Sequence, residues 1–305
     1  MNWILMALIG YGLLALTFIL DKYILSSTTI QRPSVYTFYS TIIMWGAMVL
    51  LFFSKEIWGY YDILIGLGSG VAFGFGLLTL YVAVKGGEAS HVNPFSGAVV
   101  AVTTYVLSHY FLSETLTPGQ LWGMVCLVVA SVVLSYQETK IKKGFSLSYL
   151  WAIVSGVCFA ISHVSAKFLY MTHDFIPAFA WSRAGAGIVG LLLLFHPRVL
   201  KELSYRLSHR KKSKKKIQPT SLAIVWIAKI IGIAAVVLIQ YAGAIGSVSA
   251  VHALSGLQYA LMFAIIFVLS KWSPKTFKEY FSPRELVVQS FAIMLVIIGG
   301  VLFIL

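Results

Sequence analysis

The chain has 305 residues, of which 59% are hydrophobic and 11% charged, and its formal net charge is +13. A soluble domain carries roughly 25% charged residues, so this chain cannot present a water-compatible surface, and its solvent over most of its length is lipid. The two soluble domains that the length alone would allow are thereby excluded.

A membrane crossing needs about 20 apolar residues, and the sequence offers ten such stretches. The first, 3–25, opens with MNWILMALIGYGLLAL. It lacks the positive n-region and small-residue cleavage site of a secretory signal, so it reads as an uncleaved first crossing. Next come 35–53 and 62–84, the latter carrying Gly66, Gly70 and Gly74 at a spacing of four. That smooth stripe is expected to let helices pack closely inside the bundle, with a homodimer as the other use. The fourth crossing, 93–112, follows His91, and its Asn93-Pro94 start reads as an N-cap plus first helical residue. The others are 118–136, 148–170, 178–195, 221–243, 249–270 and 285–305. Cys126 and Cys158 lie in apolar runs; they support no disulfide framework and read as small packing residues. Short connections make neighbouring helices antiparallel in a single bundle.

Only 196–219 is long and polar, and it holds nine of the 23 lysines and arginines, including the run HRKKSKKK at 209–216. With Tyr205 as its one aromatic residue and no expected fold of its own, it reads as a topology signal and a partner for anionic lipid headgroups, not for nucleic acid. The other odd-numbered loops carry Lys22, Arg32, Lys85, Lys140, Lys142, Lys143, Lys271, Lys275, Lys278 and Arg284, whereas the even loops carry Lys55 alone. The positive-inside rule puts the odd loops in the cytoplasm and both termini outside.

The sequence also resembles itself at half-length. An offset of 145 residues places LTFILDKYIL (16–25) on ISHVSAKFLY (161–170), and so Lys22 on Lys167. ETLTPGQLWG (114–123) matches EYFSPRELVV (279–288). In both, Thr117 or Ser282 can cap a helix that starts at Pro118 or Pro283, and Gln120 or Glu285 completes a capping box. Each half therefore has five helices, 1–137 and 148–305, joined by 138–147. Five is odd, so the second half enters from the opposite side. The expected fold is an all-α integral membrane protein of ten transmembrane helices arranged as two inverted five-helix repeats, an architecture of secondary transporters.

At these residues the chain resembles the drug/metabolite transporter superfamily, in the branch built from two EamA-type repeats. The resemblance rests on Lys22 and Lys167 ending the first helix of each half, Pro94 opening the fourth helix, and Glu114 and Glu279 between fourth and fifth helices. It also rests on Gln-x-x-Gly at 120–123 and on Arg183 in WSRAGAG, where the first half has Tyr39 or Ser40. It covers essentially the whole chain and implies a central cavity, alternating access, and no particular substrate. Small multidrug relatives carry a membrane-embedded glutamate in helix 1; here that helix has no acid before Asp21, so proton exchange by that device is not expected.

An ionisable group inside a crossing is costly and marks function by default. Lys229, in LAIVWIAKIIGIAAVVLIQ, lies about 12 Å into its helix at 1.5 Å per residue. It is expected to face the cavity and meet an anionic group, with snorkelling as the alternative. Arg183 serves the site or reaches the interface. Lys22 and Lys167 are also explained by the helix dipole; Asp21 reads as an interface residue or the partner of a neighbouring helix. His163 lies one turn before Lys167. With Tyr81, Gln240, Tyr241, His252, Gln258 and Tyr259 it forms a set able to converge on one cavity, and His163 and His252 are candidates for proton linkage. No metal or cofactor motif, nucleotide-binding motif or enzyme signature is present in the sequence.

The resulting expectation is a multi-pass plasma-membrane transporter, not an enzyme, for a small anionic or zwitterionic metabolite such as an amino acid. A lipid-handling or sensory membrane protein that moves no solute is the alternative. If the transporter reading holds, deleting 206–216 should lower membrane insertion or lipid affinity yet leave turnover of the inserted protein unchanged; absence of solute flux in proteoliposomes of the intact protein would favour the alternative.

Overall fold

The computed structural model describes residues 2–27, 32–54, 56–87, 89–135, 147–208, 219–272 and 283–304. Among these, every regular element is helical. The first half contains α1 (Trp3–Ser27), α2 (Pro33–Ile42), α3 (Tyr60–Gly86), α4 (Ala89–Leu112) and α5 (Pro118–Leu134). α2 runs directly into a tighter 3-10 segment, Ile43–Phe53. The second half contains α6 (Leu147–Thr172), α7 (Phe175–Leu194), α8 (Pro197–Ser208), α9 (Pro219–Ile245), α10 (Val248–Ala253), α11 (Ser255–Trp272) and α12 (Pro283–Ile304).

Eight helical stretches among the described residues are long and apolar enough to cross a membrane, and α5 and α12 contribute two shorter apolar helices. Their outer faces confirm the solvent: Trp226, Ile227, Ile230 and Ile233 on α9 are each more than half exposed, as are Tyr110 and Phe111 on α4. In water such faces would associate; in hydrocarbon they are ordinary, because helices satisfy their own backbone groups.

Close packing comes from residues without side-chain bulk. α3 lies along both α6 and α7, α1 along α9, and α5 along α12. At the α3–α7 crossing the backbones touch: a Cβ on Gly70 would sit 1.8 Å from the Ser182 carbonyl oxygen, and one on Gly185 would sit 2.0 Å from that of Leu67. Gly66 and Gly74 face Trp181 and Val189 on the same helix, so the whole stripe is used within the bundle. Beside it, the buried Ser69 hydroxyl donates to the Ser162 carbonyl at 2.9 Å and lies 3.2 Å from the Ser182 hydroxyl, tying α3 to α6 and α7.

Local starts follow the sequence where capping chemistry is complete. Thr117 and Gln120 form both bonds of the capping box at α5, with Pro118 in the first turn. α12 begins at Pro283 as expected, while Ser282 and the Glu285 side chain lie outside the described residues.

Elsewhere the sequence reading needs correction. Asn93 is not an N-cap: α4 starts at Ala89, and Pro94 lies inside it. The missing Pro94 N–H frees a carbonyl one turn back, which a helix tolerates within a membrane bundle. The seventh helix begins at Phe175, three residues early, after an extended Asp174. The ninth crossing is broken at Leu254 into α10 and α11. The polar stretch 196–219 does have a fold: α8 is amphipathic and anchors fully buried Val199, with Leu203, against Val35, Phe38, Val189 and Leu193. The basic run 209–216 lies outside the described residues.

Replacing Gly70 by Val should force α3 and α7 apart and cost about 1–3 kcal/mol, read as a lower melting midpoint in detergent. Gly68→Ala, on the same helix with nothing within 4 Å of the new Cβ, should be neutral. An unshifted midpoint for the Val variant would contradict the backbone contact.

Candidate functional site in the polar interior

Two polar groups form inside the bundle. The first surrounds Lys229 of α9. Its Nζ donates to the Tyr36 hydroxyl at 3.0 Å and to the Ser40 hydroxyl at 3.1 Å, both on α2, and lies 3.9 Å from Asp21 Oδ1 on α1. Tyr36 in turn donates to Asp21 Oδ1. Tyr36 and Ser40 are one helical turn apart and therefore present both oxygens on one face. The Tyr81 ring of α3 packs on the Tyr36 ring, with centroids 4.7 Å apart. Lys229 thus turns inward to an acid and two hydroxyls; it does not snorkel. Asp21 is the partner of a neighbouring helix, one of the two roles expected for it.

The second group lies across α1, α3, α6, α7, α9 and α10. The imidazoles of His163 and His252 stack with centroids 3.9 Å apart. His163 Nδ1 is 3.3 Å from the Gln240 amide nitrogen, and His252 Nδ1 is 3.4 Å from the Tyr11 hydroxyl. Phe73 of α3 joins this group to Arg183: its ring meets His163 at 6.4 Å, and the guanidinium carbon sits 4.2 Å from its centroid. Arg183 is also 5.1 Å from the Phe179 centroid and is only 3% exposed. Eight residues into α7, about 12 Å along it, it does not reach the interface. Its Nη2 donates to Ser182 at 3.3 Å, whereas Nε and Nη1 are buried without a hydrogen-bond partner.

Below these groups the chain turns from α9 into α10, and two charges hold the turn. Lys167 Nζ donates to the carbonyls of Gly243, Ala244 and Gly246 at 3.0, 2.9 and 2.7 Å. A cation there matches the negative end of α9. Glu114, from the α4–α5 connection, accepts from the Ser249 hydroxyl at 2.7 Å and the Ser249 N–H at 3.3 Å, at the positive end of α10. Ser247 caps the same helix start through the Ala250 N–H at 2.9 Å. Burial pushes the Glu114 carboxyl up, but hydrogen bonds from Ser247, Ser249 and Ser108, and from the Ser249 backbone, outweigh it, so its pKa lies below the ordinary 4.5.

The other expected residues are dispersed. Lys167 is half-buried and spent on the turn. Tyr241 is 37% exposed and packs edge-on against Phe175. Tyr259 lies over Gly97 of α4, where only a glycine leaves room for its ring. Gln258 is buried with its amide nitrogen unpartnered. The Lys22 side chain lies outside the described residues. Sequence reasoning passed over Tyr11 and Phe73, which carry contacts in the second group, and Tyr36, although its spacing from Ser40 was available. An apolar cleft of about 540 Å³, lined by Ile65, Leu107, Phe111, Ile161, Val164 and Phe168 among others, contains none of the expected residues. Among the described residues no group of three His, Cys, Asp or Glu could hold a metal ion.

No protein-family profile matches the chain. Over 91 residues, 30% of this chain and 28% of the other, it is 30% identical to a protein of Arabidopsis thaliana described as "Probable magnesium transporter NIPA7". Over 67 residues, 22% of this chain and 48% of the other, it is 42% identical to "Uncharacterized protein MJ1333.1" of Methanocaldococcus jannaschii. The matches thus span less than half the length of these curated relatives. A crystal structure of a protein 18% identical to this chain superposes with a TM-score of 0.67 over 98% of both chains, so the fold is shared with a solved structure. Among the described residues the chain is all-helical; it is a multi-pass membrane protein that resembles a membrane transporter over part of its length.

Because the Glu114 pKa is lowered by folding, its stabilisation is fully present above the ordinary carboxylate value and is lost as pH falls through the lowered one. Glu114→Gln should cost about 1 kcal/mol at pH 7, the usual value for a charged hydrogen bond reduced for partial exposure. The difference in melting midpoint from wild type should shrink as the pH drops below about 4. A gap independent of pH would mean that the carboxylate charge contributes nothing.

Proposed function

We propose that this chain is a secondary transporter of the drug/metabolite type, in which two inverted EamA-like repeats of five helices expose a central site alternately to each side of the plasma membrane. The observation that carries the reading is an exchange of partners between the halves. The third helix of the first half (α3) packs along the first of the second (α6), and the third of the second half (α9) packs along the first of the first (α1). The fifth helices, α5 and α12, pair with each other. Such reciprocal pairing is what a two-fold relation between the halves produces, and an odd number of crossings per half sets its axis in the membrane plane.

Individual bonds repeat the pattern. The offset that sets Tyr81 on Tyr241 also sets Ser69 on Lys229. Ser69 of α3 bonds to Ser182 of α7, and Lys229 of α9 bonds to Ser40 of α2: third helix to second helix of the opposite half, twice. The two contacts differ in tightness. The backbones of α3 and α7 touch at Gly70 and Gly185, whereas α9 reaches α2 through the long Lys229 side chain. Unequal closure of equivalent contacts is the form an alternating-access protein takes in any one state.

The solute class follows from interior charge. Asp21 is the one buried acid among the described residues, and Lys229 and Tyr36 engage it. Arg183 adds a buried positive charge. That balance favours an anionic or zwitterionic metabolite. The stretch similar to a probable magnesium transporter supports a second reading, transport of a divalent cation.

Purified protein in proteoliposomes should accelerate counterflow of a labelled anionic metabolite, and Lys229→Met, if inserted and folded, should abolish it. Full activity in that variant would remove Lys229 from the cycle. Uptake of Mg²⁺ with no anion flux would favour the second reading, and no flux of either kind would favour a lipid-handling or sensory role.

A further inference from the structure

We infer that Arg183 forms the carboxylate subsite of the transporter and that the preferred solute is a monocarboxylate with a flat apolar body, not an amino acid. This rests on the transport reading above and specifies its substrate class.

The first argument is desolvation. A guanidinium near the middle of a crossing has left water on every side, and a charge buried without a counter-ion is costly. Arg183 keeps two of its three nitrogens without a hydrogen bond, and its third makes only a 3.3 Å contact to a serine on its own helix. Aromatic faces at 4.2 and 5.1 Å offset part of the cost but accept no hydrogen bond in the guanidinium plane. A planar oxyanion supplies both missing partners.

Charge counting then selects the anion. The other inward cations are already balanced: Lys229 by Asp21, with Tyr36 and Ser40 beside it, and Lys167, bound to three carbonyls, by the nearby Glu114 carboxylate. One positive charge therefore remains. A monoanion neutralises it, whereas a phosphate dianion would leave a net negative charge in the bilayer. Next to Arg183, the Phe73 ring meets His163 edge to face beside the stacked His163–His252 pair, so the guanidinium has aromatic surroundings suited to a flat apolar body. Among the described residues the acids nearest this group are already engaged, Glu114 by Ser249 and Asp21 by Lys229 and Tyr36, so an amino acid would bury its amine unpaired. A solute with a neutral tail does not.

The test uses the full-length protein with benzoate as probe, benzamide as its uncharged isostere, phenylalanine as the zwitterion and inorganic phosphate as the dianion. Benzoate at about a hundredfold excess over its Kd should raise the melting midpoint by roughly 4 °C or more, and the other three should not. The shift should vanish in Arg183→Gln and persist in reduced form in Arg183→Lys. Each variant is first matched to wild type for insertion, elution and unliganded midpoint; should Arg183→Gln fail there, Arg183→Lys carries the comparison through its loss of affinity. An equal benzoate shift in both variants, no shift in wild type, or a larger shift with phenylalanine or phosphate would overturn the assignment. Arg183-dependent binding without flux in proteoliposomes would instead reject the transport reading and keep the subsite. Flux of another solute that is unaffected in Arg183→Gln would reject the subsite and keep the transport reading.

Discussion

Hydrocarbon offers no partner to a freed backbone group or a charge, and the turn between α9 and α10 shows what that demands. The turn releases carbonyls from one helix and an N–H from the next. Lys167, from α6, covers the first set; Glu114, from the connection after α4, covers the second. The two charges thus join four elements at a point where neither helix is self-sufficient. The polar interior hangs from this junction. Gln240 stands one turn before it on α9 and His252 one turn after it on α10, and both meet at His163, itself one turn from Lys167 on α6. Shift the turn, and the imidazole pair loses its register.

The same rule explains why basic residues of similar appearance have different fates. Lys167 finds carbonyl dipoles, and Lys229 finds an acid and two hydroxyls. Arg183 finds ring faces and little else. Each was a candidate for a single cavity, with the interface open for Arg183 and the helix dipole for Lys167, yet they are distributed over three environments. Inward orientation follows from the cost of placing a charge against lipid; the particular partner depends on tertiary contacts far apart in the sequence.

Much of the fold was legible because lipid makes hydropathy a strong signal: the apolar stretches named in advance coincide with helices to within a few residues. Thr117-Pro118 marked the start of α5 because its capping chemistry is entirely local. Asn93-Pro94 carried the same local signal and misled, since α4 extends one turn further and keeps the proline inside. α8 was missed although its amphipathic period is local; only the α2 and α7 surface on which it packs was beyond a local pattern. In the interior, the partnership of Asp21 with another helix was one of two roles its position allowed, whereas Tyr11 and Phe73 were not foreseen, because a lone aromatic residue in an apolar helix carries no mark of what it faces. Tyr241 and Tyr259 looked equivalent to Tyr81 on composition, yet Tyr81 packs on Tyr36 of the first polar group, whereas Tyr259 lies over Gly97 and Tyr241 meets Phe175.

The 3-10 winding after α2 has a bearing on membrane thickness. Eleven residues span about 22 Å at 2.0 Å per residue, against about 17 Å if wound as an α-helix. The second crossing therefore reaches further for its residue count than a regular helix would. Rewinding would draw Ser54 inward by roughly one helical pitch while every internal N–H kept a carbonyl to bond, and it would swing Trp45 off Gly187, where its ring edge now rests. The 3-10 winding thus lengthens this crossing by about 5 Å over an α-helix of the same residues, comparable to the difference in hydrocarbon depth between thin and thick bilayers.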